Sequence, residues 1–233
     1  MTRSPIIIAL DYPNLDNALE LVDQLDPAQC RLKVGKELFT REGPAVIRAL
    51  HDREFQVFLD LKFHDIPNTV AKACSVAADM GVWMMNVHAS GGLKMMEEAL
   101  RAVEQSGSGS LLIAVTVLTS MEASEFRSIG WDGSAEDQVK RLATLAQTAG
   151  LHGVVCSAQE APMLRQHCNS GFLLVTPGIR PPDAAKDDQK RTATPAEAVA
   201  MGVNYMVIGR PITQSVYPAK TLGEILKSVS FIQ

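Results

Sequence analysis

The sequence predicts an α/β protein folded as a single (β/α)8 TIM barrel over residues 1–233, and three observations predict it. Short apolar runs rich in β-branched residues occur eight times along the chain, the number at which parallel strands close on themselves. Longer segments with apolar residues at helical spacing alternate with these runs, as βα units around a parallel sheet do. No low-complexity linker and no change of composition divides the chain, so one domain accounts for all of it.

The first run, Ile6-Ile7-Ile8-Ala9-Leu10, leads into residues 14–25, where Leu15, Leu19, Val22 and Leu25 mark one helical face. The second run is 30–34 and the third 56–61, followed by a helical pattern of small and apolar residues over 68–80. The fourth run is 82–88. A Gly/Ser turn at 106–110 precedes the fifth, 111–118. Residues 136–149 form the next helical pattern, before the sixth run at 153–156 and the seventh at 172–176. Residues 177–193 are the longest irregular stretch, rich in Pro, Asp, Lys and Arg, and a loop of that length in a compact domain is usually functional or disordered. Thr194-Pro195-Ala196-Glu197 then supplies a cap residue, a proline at the first helical position and an acid in the first turn, and the eighth run is 205–208.

Hydrophobic residues make up 46% of the chain and charged residues 21%, enough for a sizeable core and a charged surface. A formal charge of -4 and a pI of about 5.7 remove the general attraction that a nucleic-acid or anionic-membrane partner needs, so any anion must be caught locally. No stretch approaches the roughly 20 apolar residues of a membrane helix, and the start is too short for a signal core, so a cytoplasmic protein is expected. Cys30, Cys74, Cys156 and Cys168 form no C-x-x-C pair, which suggests buried thiols rather than a zinc or redox motif.

In such a barrel the strand C-termini and the loops after them form the active face. Asp11 follows strand one, Lys33 lies in strand two, Asp60 and Lys62 lie in strand three, and His88 ends strand four. Period-two geometry puts Asp60 and Lys62 on one strand face, with Asp65 on the loop beyond. In isolation, Asp60 and Lys62 could be an ion pair closing the barrel top. With Asp11 and Lys33 on neighbouring strand ends, four ionisable groups converge where burial of charge is costly, which argues for function. Pro177-Gly178-Ile179-Arg180 and Gly209-Arg210 follow strands seven and eight, the habitual phosphate position, and pair close-approaching backbone with guanidinium forks. His88 and His64 lack a ligand or base pattern, and His88 reads as a hydrogen-bonded structural residue.

The motif Asp60-x-Lys62-x-x-Asp65-Ile66-Pro67-x-Thr69 resembles the signature of the orotidine 5'-phosphate decarboxylase family. The resemblance runs from Ala9-Leu10-Asp11 through Lys33-Val34-Gly35, Val117-Leu118-Thr119-Ser120, Thr176-Pro177-Gly178-Ile179-Arg180 and Asp188-Gln189-Lys190-Arg191 to Ile208-Gly209-Arg210. It implies decarboxylation of OMP to UMP, the last step of de novo pyrimidine synthesis, by a carboxy-lyase that uses no metal or other cofactor. Lys33, Asp60, Lys62 and Asp65 would form the charged network. Lys62 would stabilise and protonate the C6 carbanion, while the acids beside it stabilise its ammonium charge. Asp60 would face and repel the substrate carboxylate. Asp11 and Lys33 resemble the ribose-hydroxyl partners, and Thr119 or Ser120 would read the pyrimidine amide edge, unless that pair is only a polar cap on strand five. Gln189 would join Pro177, Arg180, Gly209 and Arg210 at the phosphate, closing the long loop over it. Asp65 and Thr69 would complete the active site of the neighbouring subunit in a homodimer.

Three other readings remain at this point. A magnesium-dependent decarboxylase or aldolase of the related sugar-phosphate barrels shares the Asp-x-Lys-x-x-Asp pattern, although Ile66-Pro67-x-Thr69 and Gln189 favour the nucleotide enzyme. A Schiff-base aldolase would need Lys62 without its proton, which flanking acids oppose. A non-catalytic phosphate-ligand binder would not need Lys62 between two acids.

Overall fold

The computed structural model describes residues 4–121, 123–181 and 192–230. In chain order the elements are β1 (Ile6–Leu10), α1 (Leu15–Val22), β2 (Arg31–Gly35), α2 (Lys36–Glu42), α3 (Pro44–His51), β3 (Val57–Phe63), α4 (Pro67–Asp79), β4 (Met84–His88), α5 (Leu93–Ser106), β5 (Leu111–Val115) and α6 (Ala123–Ser128). They continue with α7 (Ala135–Thr148), β6 (Gly153–Val155), α8 (Ala161–His167), β7 (Leu173–Thr176), α9 (Pro195–Ala200), β8 (Tyr205–Ile208), α10 (Arg210–Thr213) and α11 (Pro218–Ser230). Every strand pairs in parallel with its sequence neighbours, and β8 pairs with β1, closing the barrel in the order β1 to β8. The fold is therefore the (β/α)8 barrel that the eight runs predict.

The unbroken apolar runs follow from burial on both strand faces. On β1, Ile7 and Ala9 join Phe58, Met84, Ile113, Val175 and Val207 in the core inside the barrel. Ile6, Ile8 and Leu10 belong to the larger core between barrel and helices. The barrel floor is stoppered by Arg31, whose guanidinium lies 4.2 Å from the Trp83 ring centroid and donates to Gln56 Oε1 at 3.0 Å. Thr194 caps α9 in a reciprocal box with Glu197, and Pro195 opens that helix, as its local sequence predicts.

Most strand bounds lie within one or two residues of the expected runs, and two C-terminal ends differ by two residues or more. β5 stops at Val115 instead of 118: Thr116 turns its hydroxyl to the Val155 carbonyl at 3.0 Å, and the chain then leaves the sheet. β3 runs on to Phe63, but its pairing with β4 is broken in the middle: between Leu59↔Met85 and Phe63↔Val87 it advances four residues while β4 advances two. This is a bulge, a device that re-aims side chains beside functional sites.

Candidate active site

The C-terminal mouth of the barrel holds two adjoining cavities that share Lys33, Pro177 and Val207 in their walls. The inner one, about 190 Å³, has Phe58, Val115, Val155 and Val175 among its apolar walls and carries Asp60, Lys62 and Thr119. The outer one, about 450 Å³, is lined by Asp11, Tyr12, Gly178, Arg180, Gly209, Arg210, Thr213 and Gln214.

Asp60 is the hub of the inner cavity. Its side chain is only 14% exposed; Oδ1 receives Lys62 Nζ at 2.6 Å and Oδ2 lies 3.5 Å from Lys33 Nζ. Lys33 in turn reaches Asp11 Oδ1 at 3.2 Å, so the order Asp11, Lys33, Asp60, Lys62 alternates in sign across β1 to β3. Burial pushes the Asp60 carboxyl up, but the ammonium groups of Lys33 and Lys62 and the hydrogen bonds from Lys62 and Asn86 outweigh it and hold the carboxyl below the ordinary carboxylate range. Asp60 is thus an anion pinned between two cations beside an apolar wall, an arrangement that prepares a field before any substrate enters.

Lys62 reaches this position through the bulge. Its φ of 55° lies in the left-handed region, rare for a residue other than glycine, and its backbone N–H donates to Asn86 Oδ1 at 2.8 Å. The predicted common face of Asp60 and Lys62 is realised, but by a bulged backbone in place of a regular pleat. Asn86, fully buried on β4, is a site component that strand-end reasoning missed. The available signal was a single amide within the apolar run Met84-Met85-Asn86-Val87, since a buried amide must find partners.

In the outer cavity Gly178 has a φ of 78°, which requires glycine, and Arg180 is buried while donating to the Ile179 carbonyl at 3.1 Å. Arg210 opens α10 and lines the same cavity. Two guanidiniums and a bent Gly-containing loop around one polar cavity suit a dianionic phosphate. Tyr12, whose hydroxyl donates to the Thr213 carbonyl at 3.2 Å, and Gln214 are further lining residues that the sequence motifs did not single out.

The mouth thus gathers Asp11, Lys33, Asp60, Lys62, Thr119, Pro177, Arg180, Gly209 and Arg210. Ser120 is exposed and lines neither cavity, which leaves Thr119 as the wall residue of that pair. Asp65 and Thr69 are also exposed and outside both cavities, and Asp65 Oδ1 accepts the Ile66 N–H at 2.6 Å. Gln189 lies outside the described residues. His88 departs from the expected hydrogen-bonded role: its Nδ1 is buried without a partner among the described residues, and its ring faces that of His64 at 5.5 Å. Burial, reinforced by His64, Lys62 and Lys36 and opposed by Asp60, pushes His88 down to about 4, which keeps the imidazole neutral. Among the described residues no group of three or more His, Cys, Asp or Glu side chains could hold a metal ion, and no helix is long and apolar enough to cross a membrane.

Residues 4–225 match a family model described as "Orotidine 5'-phosphate decarboxylase / HUMPS family". A relative from Nitrosococcus oceani, named orotidine 5'-phosphate decarboxylase, is 60% identical over 230 residues, covering 99% of this chain and 99% of that protein. One of the same name from Alcanivorax borkumensis is 58% identical, covering 97% and 98%. Among solved structures, orotidine 5'-phosphate decarboxylase from Lactobacillus acidophilus superposes with a TM-score of 0.87 at 36% identity, covering 97% of this chain and 99% of that one. An uncharacterized conserved protein from Geobacillus kaustophilus gives 0.85 at 35% identity, covering 97% and 100%.

Proposed function

Because the chain belongs to the orotidine 5'-phosphate decarboxylase / HUMPS family and decarboxylates OMP in pyrimidine biosynthesis, we propose that it does so without a metal or organic cofactor, through the charged hub at Lys62. The observation that carries this reading is the Lys62 ammonium held on Asp60 at 2.6 Å, in a cavity that shares Lys33, Pro177 and Val207 with the two-arginine cavity. OMP spans both. Its phosphate lies between Arg180 and Arg210 beside Gly178 and Gly209, and Asp11 and Lys33 take the ribose hydroxyls. The pyrimidine enters the inner cavity, where Thr119 meets its amide edge.

Scission of the C6–carboxylate bond releases carbon dioxide and leaves the electron pair in the ring plane, out of reach of the π-system. Lys62 opposes that charge with a fixed ammonium and then delivers its proton to C6, giving UMP. Asp60 holds the ammonium in place and repels the substrate carboxylate until it departs. Phosphate binding, remote from C6, supplies energy that holds the reacting end in the water-poor cavity.

The working unit in this reading is a cytoplasmic homodimer in which Asp65 and Thr69 serve the partner's site. Support comes from their exposure outside the cavities of their own chain and from Ile66 between them, a large apolar side chain left 66% exposed. The test is conversion of OMP, followed by loss of its ultraviolet absorbance, with purified protein in EDTA. Turnover unaffected by EDTA supports the proposal. Inactivity on OMP in EDTA, with magnesium restoring activity on a sugar phosphate, moves the chemistry to the metal-dependent branch.

A further inference from the structure

One buried side chain bridges the two groups on which the proposed chemistry rests. Asn86 Nδ2 donates to Asp60 Oδ1 at 2.7 Å, the oxygen that also takes Lys62 Nζ at 2.6 Å, while Asn86 Oδ1 accepts the Lys62 backbone N–H at 2.8 Å. It sits on β4 opposite the β3 bulge, between the Met85 and Val87 register positions, and has no exposed surface. Across that gap Lys62 holds a left-handed backbone, which a lysine keeps only when its surroundings over-determine it.

We propose that Asn86 is a positioning residue for the decarboxylation: its amide fixes the bulge that turns Lys62 into the cavity and orients the Asp60 carboxylate that receives the ammonium. Only a side chain with a donor and an acceptor in one plane can serve both partners. An apolar residue would leave the Lys62 N–H unpaired in a buried place, and a carboxylate would set a second anion against Asp60. Asn86 does not face the substrate; it acts through Asp60 and Lys62. The inference rests on the reading of Lys62 as the group at C6.

The groups facing Asp60 are Lys33 from β2, Lys62 from its own strand and Asn86 from β4, with Asp11 of β1 beyond Lys33. His88, at the end of β4, interacts with Asp60 and Lys62 of this cluster as well as with His64 and Lys36. Removing the Asn86 donor moves Asp60 protonation upward, so the acid limb of kcat moves with it.

The experiment compares full-length parent, Asn86→Ala, Asn86→Asp and Lys62→Ala, with kcat and KM for OMP across pH and urea unfolding as the check of folding. Because misplacement of a reacting group by about 1 Å can cost on the order of 100-fold, Asn86→Ala is expected to lose about that in kcat, with its acid limb moved upward. Its KM is expected to stay within about threefold of the parent value, as for an interaction made in the transition state. Asn86→Asp, of equal size, is expected to lose most at alkaline pH and to recover in part as pH falls and the introduced carboxyl regains a proton to donate. If Asn86→Ala does not fold, this variant decides. Parental kcat in the folded variants, or a loss confined to KM with an unmoved pH profile, overturns the proposal. Lys62→Ala separates the two layers. If it keeps activity, the reading of Lys62 fails whatever the Asn86 variants do; if it is inactive and the Asn86 variants are parental, only the present inference fails.

Discussion

Lowering the pH from about 7.5 to about 5 should destabilise the parent more than a His88→Gln variant, and the half-buried imidazole sets the size of the difference. The folded protein holds His88 at about 4 against an ordinary 6.5, first through burial and then through His64, Lys62 and Lys36, with Asp60 opposing. Between those two values the unfolded chain accepts a proton that the folded chain refuses. The stability contribution is therefore complete above the unfolded value, is lost as pH falls, and levels off below the folded value. A tenfold difference in proton affinity between the two states is worth about 1.4 kcal/mol, so the full effect approaches about 3 kcal/mol before solvent screening of a partly exposed ring. Screening and the incomplete titration at about pH 5 reduce it to roughly 1–2 kcal/mol. Urea unfolding of both proteins at the two pH values gives the difference directly. His51 is also held low by burial and contributes in the same direction, but it is common to both proteins and cancels. Equal losses in parent and variant would overturn this expectation, because the His88 ring would then be as free to take a proton in the fold as out of it.

Further outcomes follow from the cavities. Arg210→Ala should lower kcat/KM for OMP by about 10- to 100-fold, the worth of a charge-assisted hydrogen-bonded pair, with a much smaller effect on phosphate-free orotidine; equal losses on both would remove Arg210 from the phosphate site. Orotidine itself should turn over with a lower kcat as well as weaker binding, and an unchanged kcat would show that the phosphate contributes only uniform binding. Mixing inactive Lys62→Ala with inactive Asp65→Ala should restore about a quarter of parental activity through mixed dimers holding one intact site, whereas no restoration argues that each site is made within one chain.

The barrel was legible because each strand is buried on both faces, so apolar runs such as Ile6-Ile7-Ile8-Ala9-Leu10 stand out without alternation. Strand ends were less so. Thr116-Val117-Leu118 prolongs an apolar pattern beyond Val115, and only the Thr116 hydroxyl, turned to Val155, reveals where pairing ends. Asp11, Lys33, Asp60 and Lys62 were readable as a group because charge at the apolar end of a strand has few inexpensive places to go. Asn86 was not, because its partners come from a neighbouring strand whose bulge exists only in the folded register. The neutral state of His88, its Nδ1 unpartnered among the described residues, was likewise invisible, since it depends first on burial and then on which charged groups the fold brings near its ring.

The proposed chemistry stands or falls with the Lys62 ammonium, which, seated on Asp60, meets the charge left at C6 and protonates it. Its sharpest test is a single-turnover measurement of OMP loss and UMP formation by Lys62→Ala beside the parent, in EDTA, with enzyme in excess and saturating so that binding is not limiting. Fast conversion by the parent and almost none by the variant is the expected result, although the variant still binds UMP. Conversion by Lys62→Ala at close to the parental rate would contradict that role for the lysine.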